Sequence, residues 1–102
     1  MNDTPQTLVA QALVTTPVPA RYLGQLCKHF QHRREVVLEE GRGSIRFDAG
    51  LCELDVPDET TLRMKVTATS EDGLATLEDV VVRHLVRFAF RETLDITWHQ
   101  AR

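Results

Sequence analysis

The sequence has little cysteine, no long apolar run and no excess of positive charge. Its two cysteines, Cys27 and Cys52, both fall in apolar patterns, so they read as reduced core thiols and not as a disulfide frame. No stretch approaches the roughly 20 apolar residues that cross a bilayer, and the N-terminus lacks the basic-then-apolar order of a secretory signal. These absences point to a cytoplasmic protein without a membrane partner. Aromatics are sparse, with one Trp, one Tyr and four Phe. Most of them sit where a core would claim them, which leaves few to stack on bases. A net charge of −3 also argues against nucleic acid as a partner. A basic ridge of Arg83, Arg87 and Arg91 does not outweigh that. No G-x-S-x-G, P-loop or dinucleotide fingerprint occurs, and no cofactor is implied.

What is present suits one folded unit. A chain of 102 residues, 42% hydrophobic and 26% charged, can bury a core without covalent staples. The polar start predicts a disordered tail over residues 1–7 and a single α+β domain over 8–102. Charge is segregated along the chain. No acid occurs between Asp3 and Glu35, where Arg21, Lys28, Arg33 and Arg34 are basic, whereas residues 35–59 hold eight acids and two arginines. A first helix in the basic region is therefore suited to an anion or an acidic partner.

Hydrophobic periodicity supplies the elements. "TLVAQALVTT" alternates Leu8, Ala10, Ala12 and Val14 on one face of a first strand. Pro19 suits the first turn of a helix that runs to about His32, with Leu23, Leu26, Cys27 and Phe30 as its apolar stripe. Gly24 inside it is a poor helix former that would allow close packing. Three hairpin signals follow at "EGRG", "DAG" and "PDET", joining strands that alternate Ile45 and Phe47, then Cys52, Leu54 and Val56, then Leu62, Met64, Val66 and Ala68 inward. Glu53, Asp55, Arg63, Lys65 and Thr67 fall on the wet face. "TSEDGLATLEDVVVRHLVRFAFRE" is the clearest helix, capped by Ser70, with Leu74, Leu77, Val81, Leu85 and Phe88 as its stripe. "LDITWHQ" reads as a last strand with Leu94, Ile96 and Trp98 inward. The order β-α-β-β-β-β-α-β predicts an α+β two-layer sandwich, a mainly antiparallel sheet of about six strands with both helices on one face.

The strings "RYLGQLCKHFQH", "GSIRFDAGLCEL" and "RHLVRFAFRETLDITW" resemble a bacterial family, the domain of unknown function numbered 2218, over roughly residues 8 to 99. The resemblance implies a small cytoplasmic bacterial protein with no named activity and an association with iron and siderophore handling.

Chemistry concentrates near "CKHFQH". Its C-x-H-x-x-H spacing suggests half a metal site, but no second ligand pair follows. At helical pitch Cys27 and His29 also point roughly 160° apart. Cys27 belongs to the core stripe, which argues against both metal binding and a nucleophilic role. The carboxylate pairs Glu39–Glu40 and Asp58–Glu59 flank turns and read as solvated. His84 lies beside the buried stripe of the second helix, the position of a boundary histidine bonded to a carbonyl. If His29 and His84 meet at a helix–helix seam, they line a site with Tyr22, His32 and Arg87 that suits an anion. The preferred reading is a non-catalytic binding or accessory module for an anionic small molecule or partner. A homodimer formed through a strand edge or the wet sheet face, and a metal-dependent protein using His29, His32 and His84, are the alternatives.

Overall fold

The computed structural model describes residues 7–101, so the expected tail lies outside the described residues except for Thr7. The elements are β1 (Leu8–Thr15), α1 (Pro19–Phe30), β2 (Glu35–Glu39), β3 (Arg42–Phe47), β4 (Gly50–Asp58), β5 (Thr61–Ala68), α2 (Glu71–Phe88) and β6 (His99–Ala101). They follow the expected order. The strands form one antiparallel sheet in the order β2-β3-β4-β5-β1-β6. Both helices cover the same face, α1 over β2 to β5 and α2 over β1, β4 and β5. The molecule is the two-layer α+β sandwich that the periodicity predicts.

Alternation decides which face is buried. Ala10, Ala12 and Val14 of β1, Cys52 and Leu54 of β4, and Leu62, Met64, Val66 and Ala68 of β5 are all buried beneath the helices. Leu23, Leu26 and Cys27 of α1 and Leu74, Leu77, Val81 and Leu85 of α2 close the core from above. On the open face the register sets Glu53 opposite Lys65 and Asp55 opposite Arg63. Arg63 Nε–H donates to Asp55 Oδ1 at 2.8 Å, and Lys65 lies 3.7 Å from Glu53. Partly exposed pairs of this kind fix register more than they add stability.

The "EGRG" turn uses its two glycines differently. Gly41 has φ of +79° and makes the reversal between β2 and β3, a conformation that L side chains resist. Gly43 lies on β3 beneath α1, where a Cβ would stand 2.5 Å from Cys27 Sγ. The close helix–sheet approach is therefore at Gly43. The expectation of close packing at Gly24 is overturned, because nothing lies within 4 Å of a Cβ there.

Four boundaries differ from expectation. α1 stops at Phe30, with Gln31 to Arg33 in a turn. "PDET" is not wholly a turn: β4 continues through Pro57 to Asp58, with a register shift between Asp55 and Asp58. Proline has no N–H for the ladder and is tolerated at such an irregularity. α2 is capped as predicted, Ser70 Oγ accepting the Gly73 N–H at 3.0 Å, but it ends at Phe88 instead of continuing to Glu92. Finally, the last strand is only His99–Ala101. Leu94, Ile96 and Trp98 do turn inward and pack on the core, yet residues 93–98 form no ladder. A gap of about 420 Å³ separates Leu13 of β1 from Asp95 and Thr97.

Candidate functional site

The end of α2 and the start of α1 are joined by one carboxylate. Glu92 Oε2 accepts hydrogen bonds from Thr16 Oγ1 at 3.0 Å and from the Tyr22 hydroxyl. Thr16 Oγ1 also accepts the Val18 N–H at 3.3 Å, which holds the turn into α1. Tyr22 is only 5% exposed, which removes it from the site expected with His29 and His84. Burial, together with the bond to Glu92 and its charge, raises the Tyr22 phenol above its ordinary value. Its hydroxyl is committed to the fold. The chain from Ala89 to Glu92 is turned back by the Glu92 N–H donating to the Ala89 carbonyl at 3.1 Å, and Ala89 itself is buried.

The two histidines expected at the helix seam do meet there. The His29 and His84 rings lie 4.8 Å apart, their planes inclined by 48°. Phe30 stands edge-on to both, at 4.9 Å from His29 and 4.8 Å from His84, and Phe88 flanks His29 at 5.7 Å. His84 Nδ1 lies 2.7 Å from the Val80 carbonyl. A carbonyl only accepts, so Nδ1 carries the proton in this contact. His84 is thus a half-buried boundary residue bonded to a carbonyl, and also a member of the seam.

The electrostatics of the seam are one-sided. Desolvation against the neighbouring rings lowers the His29 pKa, and the positive charges of His84, Arg87 and His32 lower it further. His32 lies just past α1 in the turn, and Arg87 is on the exposed side of α2. Next to His84 and Arg87 is a hollow of about 380 Å³ lined also by Val82 and the exposed Val86. The expected arginine ridge on α2 is broken: Arg83 pairs with Asp79 at 2.9 Å, and Arg91 lies beyond the helix.

Among the described residues no three His, Cys, Asp or Glu side chains converge as a metal-ligand group, so His29, His32 and His84 do not make a three-ligand site. The thiols are equally unsuited to chemistry. Burial pushes Cys27 up to about 11 and Cys52 up to about 12. Both are free and buried, and both stay protonated at neutral pH.

A second concavity was not foreseen from the sequence. It measures about 570 Å³ and opens between the start of α1 and the turn after α2, with Arg21, Gln25, Phe88, Phe90, Arg91 and Glu92 among its walls. Phe90 is 77% exposed, and the Arg91 guanidinium lies 5.4 Å from its ring centre. The string "RFAFRE" carries these side chains, but it reads as continuing helix, which conceals the wall they build.

Fold and site together define a small α+β sandwich with a histidine- and arginine-bearing helix layer above a charged, open sheet. The chain belongs to DUF2218, a family of uncharacterised proteins conserved in bacteria, whose model matches residues 11–99. It is similar to PA4090 from Pseudomonas aeruginosa, solved by NMR, with 38% identity and a TM-score of 0.76 over 89% of this chain and 94% of that one. No curated protein matches it. No helix among the described residues is long and apolar enough to cross a membrane.

Proposed function

We propose that this protein is a non-catalytic binding module whose helix layer takes an anionic small molecule at the seam of His29, His84 and Arg87, with His32 at the rim. One observation carries the reading: the His29 and His84 rings stand 4.8 Å apart at the helix seam, and His84 shares the wall of the adjoining hollow with Arg87. Basic side chains gathered in this way repel one another whenever they are charged, and a bound anion relieves that repulsion. The half-exposed apolar rings of Phe30 and Phe88 give the rest of a ligand a surface to cover. Tyr22 contributes as buried support and not as a contact, since its hydroxyl serves Glu92. A cytoplasmic setting and a place in iron and siderophore handling remain part of the proposal, and anionic ferric chelates belong in the first ligand screen.

The test is a thermal-shift and NMR titration of the protein with sulfate and ferric citrate against sodium chloride at matched ionic strength. Binding raises the melting temperature by mass action and moves the ring signals of His29 and His84. Arg87→Gln weakens that response without unfolding the protein. Equal responses to chloride and sulfate would refute the reading.

A further inference from the structure

The concavity between α1 and the turn after α2 differs from the seam in one decisive respect. It contains a carboxylate as well as guanidinium groups. A simple dianion would be repelled there by Glu92, whereas a ligand carrying both charges would be matched at each end.

Three features bear on what such a ligand is. First, Glu92 uses Oε2 for both Thr16 and Tyr22, and Oε1 accepts no hydrogen bond among the described residues. An ionised carboxylate has further acceptor sites on that oxygen. Second, Arg21 and Arg91 form no ion pair among the described residues, and Arg21 lies near enough to influence the Tyr22 phenol. A guanidinium fork is suited to a carboxylate. Third, Phe90 leaves most of its ring in water beside Phe88 on the same wall. A large apolar side chain exposed at the rim of a mixed concavity marks a surface that gains by being covered. The wall is also held in place: the buried Ala89 and the Glu92 anchor fix both ends of the turn that carries Phe90 and Arg91. Its volume lies in the range that small-molecule sites occupy.

We infer that this concavity is a binding site for a zwitterionic amino acid with an aromatic side chain. The carboxylate would face Arg21 and Arg91, the ammonium Glu92 Oε1, and the ring Phe88 and Phe90. This site does not depend on the seam, although Phe88 touches both.

The test uses the ¹⁵N-labelled full chain and three probes: L-phenylalanine, phenylacetate without the ammonium, and phenethylamine without the carboxylate. Phenylalanine should perturb the signals of Arg21, Gln25, Phe88, Phe90 and Arg91. The other two should bind at least about tenfold more weakly, since each leaves one charged group of the site without its partner. Glu92→Gln keeps an acceptor oxygen for Tyr22 and Thr16, and should reduce phenylalanine to the affinity of phenylacetate. Arg91→Ala changes an exposed residue and should weaken phenylalanine, with Arg21 still facing the carboxylate, while leaving phenethylamine no weaker. If phenylalanine perturbs none of these signals, or all three probes bind alike, or Glu92→Gln leaves its affinity unchanged, the assignment is wrong. Sulfate binding at the seam would be unaffected by any of those results.

Discussion

Single residues decide how the helix layer is held and what it can react with. Tyr22, Thr16 and Glu92 form a part-buried hydrogen-bond network across 76 positions of sequence. Tyr22→Phe removes a donor to a part-buried carboxylate while keeping the ring, and should cost about 1–3 kcal/mol in denaturant unfolding. A loss smaller than a few tenths would mean that water replaces the hydroxyl without penalty. The thiols should be inert in the native state: Cys27 and Cys52 are buried and their pKa values lie far above neutrality. A thiol-specific reagent at pH 7 should label them only at the rate of unfolding, with rapid native labelling as the contrary result. Tyr22 was legible in part. It lies four residues before Leu26, so the helical period alone puts it on the core stripe, and its polar tip is what disguised this. Glu92 was not legible, because only tertiary structure brings it to Tyr22.

At the scale of elements, period-two patterns made the strands readable, since each inward side chain has to find the core. Helix ends were less readable. "RFAFRE" holds no glycine or proline, and α2 stops there because Glu92 is pulled toward α1 and β1, a force absent from local sequence. The same limit applies to residues 93–98, whose inward alternation is real but whose ladder with β1 is not. Two glycine substitutions separate propensity from packing. Gly24→Ala sits in a helix interior with open space around it and should stabilise the protein by about 1 kcal/mol. Gly43→Ala drives a methyl toward Cys27 Sγ and should destabilise it by about 1–3 kcal/mol. Adding Cys27→Ala should make the Gly43→Ala penalty smaller than it is alone, as expected for two groups in contact. Chemical denaturation of the wild type, Gly24→Ala, Gly43→Ala, Cys27→Ala and the double variant checks these statements, and additive effects of Gly43→Ala and Cys27→Ala would show that the two positions do not touch.

For the whole molecule, the sheet and both helices share one core, with the β2 edge and the terminal segment at its margins. Amide exchange should follow that layout. The central strands β3, β4 and β5 are hydrogen-bonded on both sides over much of their length and should exchange slowest, while residues 93–98 exchange fast. Strong protection over 93–98 would mean that β6 begins earlier than His99. β2 leaves Val37 and Leu38 exposed at a sheet edge, but Glu35 and Glu39 flank them, and edge charges discourage pairing with a second chain. Light scattering should therefore give the mass of one chain over a wide concentration range. A dimer mass would favour the interaction-protein reading. The central claim, an anion site at the seam, concerns His29 most directly. Its pKa lies below the ordinary 6.5, so the unfolded chain protonates first. Its contribution to stability is full above 6.5 and is lost as pH falls from there through the lowered folded value. A bound anion favours the protonated ring and reverses the shift. The most direct measurement is the NMR titration of His29 with and without sulfate, whose charge is constant over the range. The account predicts a depressed pKa that rises on adding sulfate and rises less in Arg87→Gln; a His29 pKa at its ordinary value, or one unmoved by sulfate beyond the effect of chloride, would contradict it.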